Sequence, residues 1–192
     1  MRRRGLRFGK EKKKVNIPVI KEVMIWLAEI ALVLAIAFVF VYYICLRTSV
    51  VGQSMSPTLE SREEILINRF IYLVTNPKPG DIIVFLPNGN EKSHYYVKRV
   101  VGGPGDKVQI IGGEVYVNGE QLEETEDMAS ILDAGLAEEE ILLAEDEFFV
   151  LGDNPNNSED SRYANIGNVK KEHIIGKAWF RVSPYDKIGF LK

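Results

Sequence analysis

The sequence predicts a mainly β domain preceded by one N-terminal transmembrane helix. Three observations carry this reading. An unbroken apolar run lies near the N-terminus. A series of short β-branched and aromatic segments follows, closed by Gly, Pro and Asn turns. No second long helical pattern is present. A length of 192 residues allows one domain of ordinary size plus an appendage.

Residues 1–22 form a basic tail in which Arg2, Arg3, Arg4, Arg7, Lys10, Lys12, Lys13, Lys14 and Lys21 stand against Glu11 and Glu22. The tail is therefore +7, which leaves −10 for the remainder of a chain whose total is −3. A basic head on an acidic body fits a membrane-facing tail and argues against a nucleic-acid partner. Residues 23–46 are almost wholly apolar and long enough to span a bilayer, which takes roughly 20 helical residues. Glu29 is the one acid, within about two turns of the basic end, where a carboxylate reaches the interface. Trp26 at one end and Tyr42 and Tyr43 at the other have the placement of interfacial aromatics. The positive-inside rule puts residues 1–22 in the cytoplasm and residues 47–192 outside, on a single-pass plasma-membrane protein. A cleaved secretory leader is the rival, with Ala35-Ile36-Ala37 as its small-x-small site. Apolar sequence continues to Leu46, however, so that cut would fall at mid-bilayer. Cys45 is the sole cysteine, which excludes an intrachain disulfide.

The body, residues 47–192, reads as strands with turn punctuation. Residues 64–68 alternate weakly. A turn over 77–80 leads into a strand at 81–86, and residues 95–101 form another that ends in a Gly/Pro turn. A hairpin is centred on Gly112-Gly113, with a further turn at Asn118-Gly119. "EFFVLGDN" and "IIGKAWFRV" supply two more strands. Residues 120–147 hold no Lys or Arg. They read as an acidic, solvated surface insertion with a short helix among Ile131, Leu132, Leu136, Ile141, Leu142 and Leu143.

Four segments carry chemistry. "VVGQSMSPTLE" offers Ser54 just beyond the membrane segment. "KPGDIIVF" is a strand whose backbone could pair with an extended peptide. In "YVKRVVGGPGD", Lys98 and Arg99 point to opposite faces of a strand. A lysine buried in apolar surroundings loses its proton near neutrality, and a neutral amine is what a serine needs to become a nucleophile. "LGDNPNNSEDSR" is crowded with acceptors, and Asp160 and Arg162 can pair to fix it.

In this order behind a membrane helix, "SMSP", "YVKRVVGGPGD" and "GDNPNNSEDSR" resemble the boxes of bacterial type I signal peptidases, and the "GKAWFRVSP" end is similar too. The resemblance implies a domain of two antiparallel β-sheets and a membrane-bound serine endopeptidase that removes signal peptides after a small-x-small motif. It implies Ser54 as nucleophile, with Met55 and Pro57 in the Ser-Met-x-Pro pattern, and Lys98 as general base. Ser158 would orient the lysine amine, and Asp160 and Arg162 would form a structural ion pair. Val50, Met55, Leu59, Tyr96 and Val97 would line shallow pockets for the small residues. The Ser54 N–H is the expected oxyanion donor. The residue two before the nucleophile is Gly52, without the hydroxyl some members carry there, which resembles the Gram-positive subgroup. The implied partners are signal-peptide-bearing preproteins and the lipid bilayer, alongside the secretion machinery. No cofactor or metal is implied, and the histidines and cysteine lack ligand spacing.

Other readings are weaker. His94 and His173 belong to no nucleophile or base motif. A self-cleaving Ser-Lys repressor with a cut at Ala134-Gly135 would need a DNA-binding segment that is missing. An inactive signal-peptide-binding homologue would not need Ser54, Lys98 and Ser158 intact.

Overall fold

The computed structural model describes residues 17–122 and 129–191. The basic residues 1–16 and residues 123–128 of the acidic insertion lie outside the described residues. Helix α1 (Ile17–Ile44) contains a 27-residue stretch, Pro18–Ile44, long and apolar enough to cross a membrane, and none of its most apolar part is buried in protein. The chain divides into a unit ending at Val39 and a second unit, Phe40–Lys192, which carries the β structure. Within this second unit the last carbonyls of α1 are capped. The Arg69 N–H donates to Tyr43 O at 2.7 Å and the Trp179 indole N–H to Ile44 O at 3.1 Å. These bonds satisfy acceptors that a helix C-terminus otherwise leaves open.

The expected strands form, in two antiparallel sheets. The larger contains β1 (Leu46–Ser49), β2 (Glu64–Asn68), β3 (Ile82–Phe85), β4 (Tyr96–Gly102), β9 (Glu147–Leu151), β10 (Val169–Lys170), β11 (Ile174–Ser183) and β12 (Gly189–Phe190). Its order is β1-β2-β11-β3-β4-β9-β10, with β12 on β11. The smaller runs β7-β6-β5-β8, from β5 (Lys107–Ile111), β6 (Glu114–Val117), β7 (Glu120–Gln121) and β8 (Ile141–Leu142). The β5–β6 turn is Gly112-Gly113, both at positive φ, as the hairpin reading requires.

Strand β3 shows why its sequence is continuously apolar. Ile82 and Val84 enter one core with Val50, Met55, Leu59 and Val97, whereas Ile83 and Phe85 enter another with Val100, Phe148 and Val150. A strand covered on both faces has no position to spare for a polar residue, and each of these side chains contributes roughly 1.5–3 kcal/mol by leaving water. This geometry corrects the expectation that "KPGDIIVF" receives an extended peptide. Strand β3 is paired on both sides, by β11 and β4, and all four of its residues are buried. The free edge is elsewhere. Strand β4 pairs with β9 only from Arg99 onward, which leaves Tyr96, Val97 and Lys98 open on that side.

The described acids of the insertion lie at the surface, as expected, but the segment also supplies a strand and buried apolar residues. Its only helical part among the described residues is one 3-10 turn, Gly135–Glu138, and β8 joins the smaller sheet. Ile131, Ala137 and Leu143 are buried with Val101, Val108, Phe149 and Leu151 in a third core. Ile131, Ala137 and Leu143 are thus the inward face of that segment, whereas Leu132, Leu136 and Leu142 stay exposed.

Candidate active site

Ser54 lies in the loop of residues 50–63 between β1 and β2, whose first half forms a turn around it. Val50 anchors the turn by exchanging backbone hydrogen bonds with its far end, its N–H donating to Glu63 O and its carbonyl accepting from Arg62 N, each at 2.8 Å. Met55 and Leu59 fold inward, at 1% and 0% exposure, and pin the turn to the core. The loop after β9 holds the turn from the other side. The Asn154 N–H donates to Ser54 O at 2.9 Å and Asn154 Nδ2 donates to Gln53 O at 3.3 Å.

Lys98 stands opposite Ile83 on β3, on the face it shares with Tyr96, whose ring lies 5.8 Å from the amine. It is 3% exposed, and its Nζ lies 2.6 Å from Ser54 Oγ. Burial pushes the amine down from 10.5 to about 8, against the upward pull of Asp160 and Glu159. A lysine of this kind is partly neutral at physiological pH and close enough to accept the serine proton. Arg99 points the other way, as strand alternation requires, and grips Asp153 with two bonds at 2.8 and 2.7 Å while donating to Gly80 O.

Asp160 and Arg162 form the expected ion pair, both almost wholly buried, with Nε to Oδ1 at 2.8 Å and Nη2 to Oδ2 at 3.0 Å. The remaining guanidinium donors reach Asp133 O at 2.8 Å and Pro155 O at 2.5 Å, so the pair ties the acidic insertion to this loop. Ser158 departs from its expected contact. Its hydroxyl donates to Asp160 Oδ2 at 2.7 Å, and among the described residues no hydrogen bond joins it to Lys98. The carboxylate is the stronger acceptor for its one proton, so Ser158 can serve the amine only through its lone pairs.

Ser54 and Lys98 open into a cleft of about 460 Å³ that Val50, Met55, Tyr96 and Val97 also line. Leu59 does not line it. With no exposed surface, it backs Met55 and Val97 in the core beneath, because the turn directs it inward. His94 stands at the cleft mouth, exposed, while His173 packs near Gly89, away from the cleft. Among the described residues the Ser54 N–H has no acceptor, which leaves it free for an oxyanion. Gly52 sits at φ +89 with open space where a side chain would project. The described residues contain no cluster of His, Cys, Asp and Glu fit to hold a metal ion.

A family model described as "Signal peptidase, peptidase S26" matches residues 23–183. The chain belongs to this family. It is 34% identical to "Signal peptidase I P" of Bacillus subtilis subsp. natto, over 96% of this chain and 100% of that one. It is 39% identical to "Signal peptidase I" of Leptolyngbya laminosa over 73% and 70% of the two chains. It is 30% identical to "Signal peptidase IB" of Staphylococcus aureus (strain COL) over 87% and 93%. With its family, the chain is a serine peptidase.

Sequence reasoning about this peptidase missed two residues at the site. Gly152 has no room for a side chain: a Cβ would lie 2.4 Å from both Ser54 O and Ser158 Oγ. Asn154 clamps the turn that carries Ser54. Both lie in "GDN" directly after β9, where a strand ending in turn-forming polar residues is the available signal.

Proposed function

We propose that this membrane-anchored peptidase removes signal peptides from exported preproteins, cutting after a small-x-small motif with a Ser54/Lys98 dyad. The observation that carries the reading is the 2.6 Å approach of a buried, partly neutral amine to a serine hydroxyl. A substrate strand lies along the open edge of β4, between Tyr96–Lys98 and the turn before Ser54. Its small side chains meet a floor of Val50, Met55, Tyr96 and Val97, too shallow for larger ones. Leu59 supports that floor from below.

Neutral Lys98 takes the Ser54 proton as Oγ attacks the carbonyl carbon, and the oxyanion forms against the Ser54 N–H. The ammonium then protonates the leaving amine as the peptide bond breaks. An acyl-enzyme remains, which water hydrolyses with Lys98 again accepting a proton. Ser158, Asp160 and Arg162 hold the loop that faces the amine. No cofactor enters the sequence of steps.

The tail of residues 1–22 lies in the cytoplasm, residues 23–46 anchor the chain in the bilayer, and the body works outside, beside the secretion machinery. The test is preprotein processing by the full chain in proteoliposomes. Wild type is expected to cut, and Ser54→Ala and Lys98→Ala are each expected to abolish cutting. Normal processing by Lys98→Ala would remove the dyad from consideration.

A further inference from the structure

The cleft ends on Asn157 and Glu159, and the same two residues line a second depression of about 370 Å³. Its other walls are Asn156, Ser158, Tyr163 and Asn165, so the loop after β9 borders both depressions. Among the described residues, Glu159 is the only charged side chain lining this second depression. It is exposed and, among the described residues, engages no hydrogen bond or ion pair. The nearby carboxylates are already committed: Asp160 to Arg162, and Asp153 to Arg99. Residues before the cut occupy the side of the cleft walled by β4 and the nucleophile turn. On that reading the chain beyond the cut passes Ser54 toward the loop after β9, over Glu159 and over Asn157, whose Nδ2 donates to Gln53 Oε1 at 3.4 Å.

We infer that the second depression receives the first residues of the mature chain, and that Glu159 sorts them by charge, favouring Lys or Arg over Asp or Glu. This rests on the peptidase reading above. The walls are otherwise uncharged amides and hydroxyls, so Ser, Thr, Asn and Gln are accepted and the discrimination comes from a single carboxylate. A single exposed charge gives a small effect, a few-fold rather than orders of magnitude, and salt weakens it.

The experiment uses the full chain in proteoliposomes and three substrates identical through the cut. They carry Lys-Lys, Ser-Ser or Glu-Glu at the second and third positions after it. At low salt, wild-type kcat/KM is expected to favour Lys-Lys over Glu-Glu by roughly three- to five-fold, with the ratio shrinking in high salt. Glu159→Gln brings the ratio toward one, Glu159→Lys inverts it, and Glu159→Asp retains it. Each ratio is taken within one variant, so altered folding or altered Lys98 protonation acts on all substrates alike and cancels. A wild-type ratio of one, or a preference for Lys-Lys that survives in Glu159→Lys, overturns the inference. The peptidase reading is judged separately, by cutting of the Ser-Ser substrate and its loss in Ser54→Ala. Failure there overturns both.

Discussion

If Lys98 is the base, activity follows the deprotonation of one buried amine. Burial lowers it from 10.5 to about 8, which raises the neutral fraction at pH 7 about 300-fold over a solvated lysine, to about one-tenth. For full-length enzyme on a fluorogenic signal-peptide substrate, kcat/KM should climb about tenfold per pH unit up to roughly pH 7.5. It should reach half its maximum near pH 8 and level off by about pH 9. Glu159→Gln removes a charge that pulls the amine upward, so its midpoint should lie below that of wild type. Lys98→Arg keeps the cation but cannot shed its proton, and should be as inactive as Lys98→Ala. A profile flat from pH 6 to 9, or substantial activity in Lys98→Arg, would refute a lysine base.

The same amine makes a stability prediction. Its folded pKa is lowered, so burying the ammonium costs stability below pH 8, and wild-type stability should rise between about pH 8 and 10.5. Lys98→Met should therefore unfold at higher urea than wild type at pH 7. The gain is up to about 3 kcal/mol less roughly 1 kcal/mol for the lost contact to Ser54, and the gap narrows toward pH 10. Gly152→Ala should lower kcat about 100-fold and destabilise the body by roughly 1–3 kcal/mol in a thermal melt, because the methyl has to displace the Ser54 backbone carbonyl as well as Ser158 Oγ. Leu59→Ala should cost about 2–5 kcal/mol in chemical denaturation. Any broadening of the size preference across a panel of Ala, Ser, Val and Leu cut-site residues should be smaller than in Met55→Ala, whose side chain lines the cleft; an equal or larger broadening would mean that Leu59 reads substrate directly. Arg162→Met strands Asp160 in a dry site and should destabilise the body by about 3–5 kcal/mol, visible in a thermal melt.

Much of this protein was legible without coordinates because the signals are local. A 27-residue apolar helix, turn glycines at the β5–β6 hairpin and β-branched runs each bias the backbone where they stand. Ser54, Lys98, Asp160 and Arg162 were reached through short motifs, and strand alternation alone separated Lys98 from Arg99. What sequence could not supply is anything that depends on which elements become neighbours. "IIVF" looks the same whether at an edge or inside a sheet; only the pairing with β11 and β4 makes β3 interior and leaves the free edge on β4. The acids of residues 120–147 read as solvated because charge dominates composition, yet Ile131, Ala137 and Leu143 find a core there. The hydroxyl of Ser158 has one proton, and which acceptor takes it is settled by a carboxylate two residues away rather than by the lysine. Local chemistry determined the elements and the reactive groups. Packing between distant segments decided the 2.6 Å approach of Lys98 to Ser54, the burial that lowers the amine, and the close fit of Gly152 and Asn154 against Ser54.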